Sequence, residues 1–252
     1  MELKDPNNPR DSLISNGIEA AWRLGDWGEL EYFSKNESSK NTFESSLGRI
    51  FNLLKKKDYS KFETSLSNLS ERYHSLSSLG TYHRDYDFFV QLHIQRDLGS
   101  FWKAFKGEES NIESLLTCWE RRVDITKPNI RTRELILNVH IALINILEYY
   151  LVLMLRHDSK KSQSYIKLLQ DYKGAALVKL AKLLRKSDMM SASHLTILKA
   201  TEMGEETAIL QKAKWLWAQR LNQEGINTLY RAINSSKIGA GSLLLGKVRA
   251  MK

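Results

Sequence analysis

Two short motifs in this 252-residue chain carry residue types that could move phosphate. His83-Arg84-Asp85, with Asp87-Phe88 close behind, has the order of a phosphoryl-transfer loop. Such a loop needs an Asn five residues after the Asp to hold magnesium, and that position is Val90. The Asp-Phe pair also follows too closely for a separate metal-binding loop to form. YHRDYDFFVQLHI reads instead as an amphipathic helix with Tyr82, Tyr86, Phe89, Val90 and His93 on or near one face. The second motif, Gly241 to Lys247, has the spacing of a phosphate-cradling loop, but Val248 stands where a hydroxyl must ligate magnesium. Leu243, Leu244 and Leu245 would place apolar bulk where polar backbone must wrap phosphate.

The remaining reactive residues form no constellation. His74, His83, His93, His140, His157 and His194 show no HExxH pattern and no carboxylates at metal-ligand spacing. His93 and His140 lie in apolar helical stripes and are expected to be satisfied core histidines. Cys118, the single cysteine, sits beside Trp119 and reads as a small buried hydrophobe. One cysteine excludes a disulfide framework and a Cys-based zinc site. No Gly-x-Ser-x-Gly elbow occurs. The expectation is therefore no catalytic residue, no metal ligand and no cofactor held by this chain.

The elements behind these residues are helical nearly everywhere. Leu168, Leu169, Tyr172, Ala175, Ala176, Leu180, Leu183 and Leu184, with the stem of Lys179, recur at three- and four-residue steps. Similar stripes run through SLISNGIEAAWRL, NTFESSLGRIFNLLKK, YSKFETSLSNLSERY, NIESLLTCWERRV, RELILNVHIALINIL and ETAILQKAKWLWAQ. Asp26 and Asp58 stand as N-caps, Asp26 with Glu29 three residues on, as in a capping box. Short links force antiparallel neighbours. The longer loops are expected around SSKN, FKGEES and RHDSKKSQS. Ala181 to Ala200 overlays Ala213 to Ala232 at an offset of 32, bringing Ala181, Lys182, Leu184, Thr196 and Ala200 onto Ala213, Lys214, Leu216, Thr228 and Ala232. That period is close to the tetratricopeptide size. The predicted fold is all-α, with antiparallel helical hairpins stacked as a tetratricopeptide-like α-solenoid.

Composition sets the class. Apolar residues are 42% and charged residues 27%, ordinary for a globular chain and too rich in aromatics for disorder. The longest apolar run, Tyr149 to Leu155, is far short of the ~20 residues that span a bilayer, and the polar N-terminus is not a signal peptide. A soluble, intracellular chain without membrane contact is expected. Net charge is +9, of which +7 lies between Arg156 and Lys199. Lys173, Lys179, Lys182, Arg185 and Lys186 make a candidate basic contact surface there, suited to nucleic acid or an acidic protein. Tyr165 and Tyr172 are the only aromatics in that stretch, which argues against direct nucleic-acid binding.

Four blocks, in order from Gly17 to about Ile233, resemble one family. GIEAAWRLGDWGELEYF looks like the segment near the start of the FAT domain of the phosphatidylinositol-3-kinase-related protein kinases. YHRDYDFFVQLHIQRDL resembles that family's Tyr-x-x-x-Tyr helix followed by Leu-His. CWERRVDITKPNIRTRELILNVHIALI is similar to its Trp-x-x-Arg element, linker and Arg-Glu-x-Ile-Leu helix. AILQKAKWLWAQ is close to the Ala-Lys-Trp-Leu-Trp helix of the ATR branch, the replication-stress checkpoint kinases. Leu135 stands where the family usually has Pro, and Val139-His140 where it has a basic pair.

The resemblance implies a regulatory scaffold of an ATR-like nuclear serine/threonine kinase in DNA-damage signalling. Its partners would be the parent's own kinase domain and regulatory subunits, with a second copy as a further candidate. ATP and Mg would be used by the parent kinase domain, which is absent here. Residues 1–11 are expected to be a disordered or leader segment and 12–252 the N-terminal part of the FAT-like domain, cut short inside GSLLLGKVRAMK. Trp22, Leu24, Trp27, Trp119, Trp215 and Trp217 are the packing landmarks, Trp217 being the one expected to face a neighbouring segment. The alternative is a free-standing tetratricopeptide-like adaptor without kinase activity.

Overall fold

The computed structural model describes residues 9–36, 42–74, 86–106, 112–127, 129–154 and 159–235. Among them are eleven α-helices and no strand. They are α1 (Pro9–Leu24), α2 (Trp27–Ser34), α3 (Phe43–Lys55), α4 (Tyr59–His74), α5 (Tyr86–Lys106), α6 (Ile112–Ile125), α7 (Ile130–Met154), α8 (Ser159–Lys186), α9 (Met190–Glu202), α10 (Thr207–Ala218) and α11 (Asn222–Ser235). The fold is all-α, built of stacked helical hairpins as in tetratricopeptide-like repeats. Two compact units divide the chain, 1–127 with 138–162 and 128–137 with 163–252.

Helix boundaries follow local chemistry. α1 opens on Pro9, whose missing N–H is one that a helix leaves unpaired in its first turn. Pro9, Arg10 and Asp11, inside the expected leader, are thus helical, while residues 1–8 lie outside the described ones. Asp26 caps α2 by accepting from the amides of Gly28 and Glu29, each at 3.1 Å. Its own amide donates to Ala21 O at 2.9 Å, which occupies the donor that the capping-box glutamate would take. Asp58 caps α4 through Lys61 N at 3.3 Å. α8 already begins at Ser159, so Ser159–Ser164 of the expected RHDSKKSQS loop are helical. The SSKN segment, residues 107–111 and everything after Ser235, including Gly241 to Lys247, lie outside the described residues, as do Tyr82 to Asp85.

In the first unit, consecutive helices from α1 to α6 pack on one another, and α1 also packs on α3. Ile18, Trp22, Leu30, Leu47 and Phe51 fill the space between α1, α2 and α3. Gly48 lacks a side chain where Ile18 and Trp22 occupy the room a Cβ would need. The Trp22 indole N–H donates to Glu44 O at 3.1 Å, and its ring meets Phe51 edge-on at 5.3 Å. Between α4 and α5, the Trp102 indole donates to Glu63 Oε1 at 2.8 Å. From α7, the Tyr150 hydroxyl donates to Leu54 O at 2.5 Å, a carbonyl at the end of α3 that also accepts from Lys57 N at 3.0 Å. Burial is the main reason that hydroxyl's pKa is pushed up to about 12.

In the second unit, α8 buries Leu169, Ala176, Leu177, Leu180, Ala181 and Leu184. α9 packs on α10 and α10 on α11, where Ala200, Ala208, Ala213 and Ala232 are buried. The Ser193 hydroxyl donates to Ala181 O at 3.0 Å. The repeat seen in the sequence is repeated in the turns. Asp188 is left-handed (φ 61°); its amide donates to Arg185 O at 3.2 Å and that of Met189 to Leu184 O at 3.0 Å. At the equivalent position Arg220 is left-handed (φ 63°), with its amide on Trp217 O and that of Leu221 on Leu216 O, each at 3.0 Å. Both are Schellman endings, which satisfy the last carbonyls of a helix. Gly25, Lys57 and Gly204 end their helices the same way.

Over Ile130–Leu151, α7 is long and apolar enough to cross a membrane by length and composition, which the short unbroken apolar run did not suggest. Most of that stretch is buried inside the protein, and His140 at its middle is hydrogen-bonded to a carboxylate. That is the character of a core helix.

Candidate functional site

The most concentrated polar chemistry is buried in the first unit, where α5, α6 and α7 contribute one group each. Asp97 falls on the inward stripe of α5 among Val90, Ile94, Leu98 and Phe101, and it is only 1% exposed. Its Oδ1 is ion-paired with Arg122 of α6, and its Oδ2 accepts from His140 Nε2 of α7 at 3.1 Å. Trp119, one turn before Arg122, lies flat on the His140 ring at 4.3 Å with 6° between planes. Burial above all, then the Arg122 charge, lowers the His140 pKa to about 3. The imidazole is therefore neutral near pH 7, with Nε2 as the protonated nitrogen facing the carboxylate. This arrangement ties three helices together. It offers no open position for a reacting group, because each member is buried or paired.

Among the described residues, no group of three His, Cys, Asp or Glu is placed to hold a metal ion. Beside the buried centre lies a cleft of about 310 Å³ lined by Tyr86, Phe89, Val90, His93, Arg122 and Ile125. The Tyr86 hydroxyl accepts from Lys127 N at 2.8 Å, and Lys127 Nζ sits 4.6 Å above the Tyr86 ring. The volume is at the small end of ligand pockets, which run from ~300 to 1,000 Å³.

The landmark residues separate into inward and outward positions. Trp22 and Trp119 are fully buried. Trp27 is half-buried beneath Lys55 Nζ at 5.3 Å, and burial lowers the Lys55 pKa. Trp215 is half-buried, donates to Met190 O at 2.9 Å and stacks on His194 at 4.4 Å. Trp217 is 42% exposed. Leu24, expected to pack, is 64% exposed, because at ~100° per residue it points away from the Ile14, Ile18, Ala21 and Trp22 stripe of α1. Cys118 is exposed rather than buried, since Leu115, Trp119 and Val123 take the inward face of α6. His93 is also exposed at the cleft rather than in the core; the partial desolvation it keeps there, then the charges of Arg122 and Arg96, lower its pKa.

In the second unit, Lys182 and Lys186 are exposed, and Lys173, Lys179 and Arg185 are half-buried. Lys173 lies on the apolar side of α8, so it is not on the surface shared by the other four. Asp97 and Arg122 were missed as a pair because charged residues are expected at the surface. The available signal was an acid at an i+3/i+4 position of an apolar stripe.

The FAT domain family model matches residues 15–247. The chain is 27% identical over 240 residues to the serine/threonine-protein kinase ATR of Oryza sativa subsp. indica, covering 86% of this chain and 8% of that protein. It is 26% identical over 248 residues to the protein of the same name in Arabidopsis thaliana, covering 89% of this chain and 8% of the relative. Protein kinase rad3 of Schizosaccharomyces pombe is 22% identical over 240 residues, with 91% of this chain and 9% of the relative covered. The chain thus spans less than a tenth of the length of these relatives. No solved structure gives a significant match.

Proposed function

The chain belongs to the FAT domain family, and from that footing we propose that it is the regulatory and scaffolding helical-repeat segment of an ATR-like serine/threonine protein kinase. Its role would lie in DNA-damage and replication-stress checkpoint signalling in the nucleus. The observation that carries this reading is the family match over nearly the whole chain, together with the distant similarity to ATR and rad3 kinases. Stacked hairpins suit a scaffold, because elements held by nearest-neighbour contacts can flex along their length and relay strain. The proposed partners are the parent's kinase domain, its regulatory subunits and a second copy of the protein. Phosphoryl transfer, with ATP and Mg, would belong to that kinase domain.

The test is to tag the endogenous gene product within this segment, isolate it from cells with and without stalled replication, and assay serine/threonine phosphorylation. A long product whose activity rises under replication stress is expected. A product without kinase activity under either condition contradicts the proposal and leaves an adaptor.

A further inference from the structure

We propose that one face of α8 in the second unit docks an acidic polypeptide segment of a partner protein. α8 carries eight Lys or Arg and a single acid, Asp171. At ~100° per residue, Lys167, Lys179, Lys182, Arg185 and Lys186 fall within about 120° of arc, opposite the buried stripe of Leu169, Ala176, Leu180 and Leu184. Lys167, Lys182 and Lys186 are exposed. Among the described residues, Lys167, Lys182, Arg185 and Lys186 make no salt bridge. Some exposed lysines of the first unit are paired: Lys35 and Lys56 both meet Glu31, and Lys61 meets Asp58, although Lys57 makes no salt bridge among the described residues.

The helix dipole accounts for Arg185 and Lys186, which stand in the last turn. It does not account for Lys167 or Lys182, since the effect fades beyond that turn. Asp171 falls within the same arc, one turn from Lys167, so the face keeps a net charge of +4, and that excess of like charge is relieved by a complementary surface. The distance from Lys167 to Lys186 is about 28 Å at 1.5 Å per residue, the reach of roughly eight or nine residues of extended chain. The α8 aromatics, Tyr165 and Tyr172, are half-buried, so the face offers no platform for stacked bases. Charge complementarity without stacking favours an acidic protein segment over single-stranded nucleic acid.

The experiment uses the full chain and a fluorescein-labelled 20-residue peptide of alternating Glu and Ser, read by anisotropy at low and moderate salt. Lys167→Glu with Lys182→Glu is expected to weaken binding about tenfold, or ~1.4 kcal/mol, and to flatten its salt dependence. Arg121→Glu with Arg131→Glu makes the same charge change at exposed positions elsewhere and is expected to weaken it less than about threefold, as for isolated surface charges. Lys167→Gln with Lys182→Gln, checked by circular dichroism, separates lost charge from lost helix. Equal losses in the two Glu pairs would assign the binding to bulk charge and overturn the proposal. So would absence of peptide binding, or tighter binding of a 20-nucleotide oligothymidine through the same lysines.

Discussion

In the first unit the largest fully buried side chains are rings, namely Trp22, Phe51, Phe62, Phe101 and Trp119. In the second, the inward positions of α8 to α11 combine leucines such as Leu169, Leu180, Leu184 and Leu216 with Ala176, Ala181, Ala200, Ala208, Ala213 and Ala232, while Trp215 and Trp217 stay at the surface or halfway to it. Rings fill wide gaps between helices, and the first unit has room there for a buried carboxylate, guanidinium and imidazole. Alanines let helices approach until a side chain reaches the next backbone, as with Ser193 on Ala181 O and Trp215 on Met190 O. Stability in the first unit is therefore expected to rest more on a few large or charged groups, and in the second on many smaller contacts.

The largest expected effect is at Asp97. Asp97→Ala leaves Arg122 and His140 without their shared partner and should destabilise the first unit by about 3–5 kcal/mol, read by hydrogen exchange across α5, α6 and α7. Acid comes next. His140 has a folded pKa of about 3 against 6.5 for the free side chain, so between those values the unfolded chain binds the extra proton. Its contribution is present above pH 6.5 and is lost as pH falls towards 3. His140→Gln should therefore show a shallower loss of stability over that range than the unaltered protein. Equal slopes would refute a buried neutral histidine.

Smaller effects belong to the second unit. Ser193→Ala removes one hydrogen bond between α8 and α9 and should lower stability by about 1 kcal/mol in chemical denaturation. Arg220→Gly relieves a left-handed residue and should raise stability by about 0.5–1 kcal/mol. Trp217→Ala, at an exposed site, should change it by less than about 0.5 kcal/mol.

The helices and their caps were legible because periodicity and capping are local properties. The stripe in α8 and the caps at Asp26 and Asp58 needed no knowledge of distant residues. The 32-residue repeat was visible through its alanines, and the same offset recurs in the turns at Asp188 and Arg220. Those left-handed positions were not themselves legible, because neither residue is Gly and only the helix ends that surround them require the conformation. Asp97 was hidden for a different reason. A buried charge is tolerable only with partners, and Arg122 and His140 stand 25 and 43 residues away in sequence. Leu24, Cys118 and His93 show the limit of single-helix periodicity, since a residue at a stripe's edge turns inward only if a neighbour covers it.

The most direct test of the regulatory-scaffold reading is to sequence the transcript across the codon for Lys252. Continuation into further helical repeats and then a kinase domain is the predicted result. A stop codon at that point would contradict it, and the chain would have to act without a kinase domain of its own.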